Sequence, residues 1–232
     1  MSNRFKSRYD DDINLFEGRW HLAQYALLIA LLLAAPWLLG VYYLGELTAV
    51  LIWSLAGLGL MLISGHTGQV SLGHAAFMAI GAFTNLALMM RGWHFIPALL
   101  ASAVTSGVLG AIISRPILRM SGIYLAIATL ALSIIIEDLS ILAEPITGGV
   151  AGLFAPPIDL FGLTIDRYSS PKAFYYLCLT VLVIVTLGYL NLLRSASGRS
   201  FLAVRDSEVS ARALGVNVTR AKTLSFALSC AM

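Results

Sequence analysis

Between Glu46 and Arg91 lie 44 residues without one Asp, Glu, Lys or Arg. No water-soluble fold can hide so long an uncharged run behind so little polar surface. One membrane crossing takes ~20 apolar residues. The run 47–90 therefore predicts two crossings joined by a turn, marked by Gly65-His66-Thr67-Gly68. The rest of the chain agrees: 59% of its 232 residues are hydrophobic and 12% are charged. Soluble domains carry about 25% charged residues. Disorder is excluded by the abundance of apolar residues.

Further uncharged runs mark the other spans: 22–45, 92–114, 120–136 continuing past Glu137 and Asp138 to 143, and 173–193. The first run is too long for the h-region of a signal peptide and has acidic residues before it. The fold expected is an all-α polytopic transmembrane bundle of six complete spans. It divides into an N-terminal segment 1–21, a bundle 22–193 with an outer loop 144–172, an inner segment 194–222, and the start of a further span, 223–232. A ten-residue helix is ~15 Å long against a ~30 Å hydrocarbon core. The chain is therefore expected to continue in a longer natural form.

Six spans place 12 of the 15 Lys and Arg residues on one side, six of them within 194–222. Lys and Arg collect on cytoplasmic loops, so the N-terminus is expected in the cytoplasm. The net charge of +3 follows from that bias, and no nucleic-acid partner is expected. Cys178 and Cys230 both lie in apolar runs, which suits neither a disulfide framework nor an activated thiol.

Polar residues inside the apolar runs are the candidate functional groups. The stretch 65–74 holds glycines, two histidines and hydroxyls but no charge. Glycine lets backbone approach backbone or ligand, and broken helices beside a transport site have this composition. A tight inter-helix turn would have it too. In the fifth span Gly122, Ala126, Thr129, Ser133, Glu137 and Ser140 share one helix face, either lining a path or facing the bundle. The candidate substrate path is Gly68, Gln69, Ser71, Gly73, His74, Thr129, Ser133 and Glu137. In the fourth span Ser102, Ser106, Gly110 and Ser114 recur every fourth residue, with Ala103, Gly107 and Ala111 beside them. Such a stripe predicts a close helix–helix contact, within the chain or with a partner. No metal-ligating set is evident, because His66 and His74 have no accompanying carboxylate.

The inner segment mixes charges with Phe201, Leu202, Val204, Val209, Leu214 and Val216, and suits an amphipathic helix ending at Gly215. That helix could lie on the membrane or enter a partner's groove. No phosphate-binding Gly-x-x-x-x-Gly-Lys-Ser/Thr motif occurs. Energy from ATP would have to come from another polypeptide.

Gly65-His66-Thr67-Gly68-Gln69-Val70-Ser71-Leu72-Gly73-His74-Ala75-Ala76-Phe77 resembles the signature of permease subunits of branched-chain amino acid ABC importers. Residues 121–131, Thr147-Gly148-Gly149 and Gly152-Leu153 are similar to one subunit type, the LivM type. Residues 198–218 resemble the family's cytoplasmic coupling segment. The resemblance implies a non-enzymatic transport subunit of the bacterial inner membrane that moves hydrophobic amino acids by alternating access. It also implies a second homologous permease subunit, two cytosolic ATPases that hold ATP and Mg, an external substrate-binding protein, and a lipid bilayer around the bundle. No cofactor is implied on this chain. The ATPase-coupling residues it implies are Arg205, Asp206, Glu208, Ser210, Ala211, Arg212 and Gly215. The general importer pattern is Glu-Ala-Ala, three residues, then Gly. Here Val209-Ser210-Ala211 precedes Gly215 by that spacing, and Glu208 stands one position early. Urea or short amides as cargo, and a stand-alone transporter or channel using Glu137 and Asp138, are the alternatives.

Overall fold

The computed structural model describes residues 19–117, 122–160 and 163–232. Most of the N-terminal segment expected over 1–21, and part of the loop with Arg119, lie outside the described residues. Along the chain come α1 (Arg19–Leu38), α2 (Val41–Leu60) and a π-turn (Met61–Gly65). Then follow α3 (His74–Met90), α4 (Phe95–Ile117), α5 (Ile123–Leu142) and the single turn α6 (Glu144–Thr147). The segment between α6 and the next helix holds a two-stranded antiparallel hairpin, β1 (Ile158–Leu160) and β2 (Leu163–Ile165), pairing Ile158 with Ile165. The chain ends in α7 (Pro171–Arg194), α8 (Ala196–Asp206), α9 (Glu208–Ala213) and α10 (Val218–Ala231).

Among the described residues four helical stretches are long and apolar enough to cross a membrane: Val41–Gly65, Phe95–Pro116, Ile123–Leu142 and Pro171–Arg194. Ala23–Leu38 and His74–Met90 are apolar and shorter. Within these four stretches only 11–28% of the residues are buried, so their Leu, Ile and Val side chains mostly face outward. Only a hydrocarbon solvent makes that surface favourable, and the protein is a multi-pass membrane protein.

The boundaries depart from the sequence expectation in two places. The first break falls at Leu39–Gly40, not at Glu46, which sits exposed in the second turn of α2. Absence of charge marks bilayer depth, whereas Pro36 and Gly40 decide where the helix breaks. The expected turn at Gly65–Gly68 is instead a longer link, 66–73, between the π-turn and α3.

The small-residue stripe of α4 is used within the chain. It receives α10: a Cβ on Gly110 would stand 2.8 Å from the Cys230 sulfur, and one on Gly107 3.1 Å from the Ala231 Cβ. On the other side Ser106 Oγ lies 3.0 Å from where a Gly81 Cβ would stand. The run 223–232 is thus part of a helix wedged into the bundle. That helix buries Val218, Ala221, Lys222, Ser225, Phe226, Ser229 and Cys230. Phe226 meets Phe77 edge to face at 5.6 Å. Next to this contact, Leu62, Tyr189, Phe201, Val204, Ala211 and Val218 form a core between the π-turn and α7–α10.

If α4 and α10 depend on that close approach, Gly110→Leu should destabilise the fold by about 1–3 kcal/mol, as overpacking does. Gly57→Ala, where a Cβ meets nothing, should be neutral or stabilising by up to about 1 kcal/mol. Thermal unfolding in detergent measures both.

Candidate functional site

From Gly68 to Gly73 the link is non-helical backbone beside two apolar helices. In hydrocarbon every such N–H and C=O needs a partner inside the protein. The first partners are local. Gln69 N–H donates to the Ile63 carbonyl at 3.0 Å, closing the end of the π-turn, and Thr67 Oγ1 donates to the same carbonyl at 2.7 Å. Gly68 takes φ +66° there, a conformation that L side chains rarely adopt.

The remaining partners come from distant elements. Leu72 N–H donates to Thr129 Oγ1 of α5 at 3.0 Å. Gly73 lies so close to α5 that a Cβ would collide with the Thr129 carbonyl. Gln69 is 2% exposed, and its Nε2 donates to Thr67 Oγ1 and Ser225 Oγ, each at 3.0 Å. Ser225 Oγ gives its own hydrogen to the Lys222 carbonyl, so the two hydroxyls need donors and the amide NH2 must face them. Gln69 Oε1 is buried and has no hydrogen-bond partner among the described residues.

At the start of α3, His74 Nε2 lies 2.6 Å from Ser229 Oγ. Ser229 Oγ donates to the Gly59 carbonyl. Its oxygen therefore accepts from Nε2–H, and Nδ1 lies 3.3 Å from Ser71 Oγ. The network places a hydrogen on Nε2. Phe77 and Phe226 stand edge-on to the ring at 6.3 and 6.1 Å. His74 and Ser229 also border a cavity of about 230 Å³ between α2, α3, α4 and α10. Its walls include Leu55, Phe77, Met78, Leu99, Ser102 and Ser106, and no charged side chain lines it.

Of the sequence candidates, the structure gathers Gly68, Gln69, Ser71, Gly73, His74 and Thr129. Ser133 and Glu137 lie further along α5, where Ser133 bonds only its own helix at Leu130 O and Glu137 is exposed. Three members were missed by sequence reasoning: Thr67, Ser225 and Ser229. Thr67 stood inside the motif without being singled out. Ser225 and Ser229 sat in an apolar run, and their only signal was four-residue spacing.

The inner segment is two helices where one was expected. Ser207 has extended backbone and caps α9, its Oγ accepting from Ser210 N–H at 3.3 Å. At the far end Gly215 takes φ +84°, and Gly215 and Val216 N–H donate to the Arg212 and Ala211 carbonyls, a glycine C-cap. The candidates here face different ways. Ala211 is buried in the core, and Arg205 Nη1 donates to the Gly65 carbonyl at 3.1 Å while pairing with Asp206 at 3.0 Å. Glu208 pairs with Lys222 of α10 at 2.6 Å. Ser210, Arg212 and Gly215 are exposed, as are Val209 and Leu214, each 80% exposed.

Thr129→Val keeps the shape at α5 but leaves Leu72 N–H without its acceptor. Stability should fall by about 1–3 kcal/mol, the cost of an unpaired buried group. Thr180→Val, where the hydroxyl bonds only its own helix, should fall by less in the same thermal scan.

Comparison with known proteins places these features in a family. Residues 42–232 match the family described as branched-chain amino acid transport system / permease component. Two relatives carry the name high-affinity branched-chain amino acid transport system permease protein LivM. The Salmonella typhimurium protein is 34% identical over 207 residues, covering 79% of this chain and 48% of the relative. The Escherichia coli protein is 32% identical over 227 residues, covering 88% and 53%. The chain spans about half the length of these curated relatives. No solved structure matches it. With its family signature 65–77 forming the link between α2 and α3, the chain belongs to the permease component family of branched-chain amino acid transport systems.

Proposed function

We propose that this chain is the membrane-spanning permease subunit of an ATP-binding-cassette importer that moves branched-chain amino acids across a bacterial inner membrane. The observation that carries the reading is the outer face of α9. Val209 and Leu214 are 80% exposed beside Arg212, on a short helix whose other face is anchored in the core by Ala211. A protruding apolar pair with a basic neighbour suits a groove on a protein better than bulk water. The family of the chain works with ATPases in general, and an ATPase is the partner assigned to this face. A pair of such ATPases, with ATP and Mg, works on this chain and a homologous second permease subunit. An external binding protein delivers the amino acid on the far side.

Sidedness follows from charge. Arg115, Arg194, Arg199, Arg205, Arg212, Arg220 and Lys222 belong to the end of the bundle that carries α8 and α9. Arg91, Arg167 and Lys172 belong to the opposite end, with the hairpin. By the positive-inside rule the α9 end is cytoplasmic, and six spans put the N-terminus there too. The path runs past His74, along the uncharged cavity, whose apolar walls suit an aliphatic side chain.

Val209→Glu with Leu214→Glu should cut co-purification of the ATPases more than about tenfold, the effect of losing an interface anchor. The thermal midpoint should be unchanged, since neither side chain is packed. Unchanged co-purification and unchanged uptake of labelled leucine would refute the assignment. Ala103→Phe, which fills the cavity wall, should lower leucine uptake while leaving the ATPases bound.

A further inference from the structure

We infer that Lys222 is a positioning residue for transport, tying α9 to the link 66–73 through its ion pair with Glu208. The inference rests on the reading that an ATPase sits on α9.

Lys222 is 8% exposed. An ammonium removed from water must be paired and hydrogen-bonded, and its partner is Glu208 Oε1 at 2.6 Å. Glu208 is the first residue of α9, directly after the Ser207 cap. The bond therefore joins the base of the exposed helix to the first turns of α10.

From Lys222 the contact continues along one face of α10. Ser225 and Ser229 stand three and seven residues on, stacked over Lys222 on a helix. Ser225 Oγ donates to the Lys222 carbonyl and accepts from Gln69. Ser229 Oγ meets His74 at 2.6 Å. One rigid helix thus holds an ion pair to α9 at its cytoplasmic end. A turn and two turns further on it holds hydroxyl bonds to Gln69 of the link and to His74 at the start of α3.

The alternative routes from α9 are weaker. Ala211 makes apolar contact in the core, which is non-directional and slides. Arg205 reaches Gly65 O from α8, across the break at Ser207. Among the described residues the Glu208–Lys222 bond is the charged and directional connection from α9 to another helix. A displacement of α9 moves Lys222, and with it the register of Ser225 and Ser229 against Gln69 and His74.

The test uses the complete transporter in proteoliposomes, with ATPases, binding protein and labelled leucine. Lys222→Met and Glu208→Gln should keep the ATPases bound and hydrolysing. Leucine moved per ATP should fall about tenfold, in the range of typical coupling energies. Lys222→Arg should remain close to wild type. The exchange Glu208→Lys with Lys222→Glu should recover most of the lost transport, which a general folding defect would not. Should Lys222→Met fold poorly, Ser225→Ala leaves the ion pair intact and should show the same uncoupling. Wild-type transport per ATP in Lys222→Met, or in Ser225→Ala, overturns the inference alone. So does an exchange variant that regains thermal stability without regaining transport. Failure of the unaltered chain to retain any ATPase overturns the functional reading and this inference together.

Discussion

Hydrocarbon offers no hydrogen bonds, and that deficit shapes the centre of this protein. Residues 68–73 of the link abandon helical pairing between two apolar helices, so their polar groups must find partners elsewhere in the protein. Thr67 does so within the link, Thr129 from α5 and Ser225 from α10, while Ser229 of α10 meets His74 where α3 begins. Each of these hydroxyls also bonds a backbone carbonyl of its own or a neighbouring helix. A hydroxyl can donate and accept at once, which lets it satisfy the link without leaving its own hydrogen unpaired. A carboxylate or an ammonium in the same place would add a desolvated charge with no counter-ion.

The same economy explains why α10 packs so closely. Its hydroxyls reach the link only if the helix comes near α4, and that approach is possible because α4 presents Gly107 and Gly110 where larger residues would collide with Ala231 and Cys230. The stripe on α4 and the polar link, separate features in the sequence, therefore serve one contact. Most charges of the described residues lie towards the two ends of the bundle. Lys222 lies at an end too but is buried there, and its partner Glu208 remains partly exposed.

Much of this was legible in the sequence and part was not, for physical reasons. The apolar runs announced themselves because a bilayer forbids charge along ~20 residues. Helix breaks were less readable: Glu46 is tolerated within a helix near the interface, so the end of an uncharged run is not the end of a helix. The link was recognisable from its glycines and histidines. Its partners Ser225 and Ser229 were hidden, because hydroxyls that back-bond in a helix are cheap enough to sit in any apolar run. Ser133 and Glu137 share the helix face of Thr129, yet the stripe outlasts its neighbours. A helix face predicts direction but not how far along the helix a partner extends.

The Glu208 position shows how local capping can redirect a motif. In the general importer pattern an acid occupies the place held here by Val209. With Ser207 extended and capping α9 through Ser210 N–H, Glu208 becomes the first helical residue. An acid in the first turn is favoured by the helix dipole, and here it also neutralises the buried Lys222. Val209 is left pointing outward. The negative charge of this chain thus lies at the joint between α9 and α10, and not on the protruding surface. The exposed surface of α9 is apolar and basic, while Glu208 holds α9 to α10.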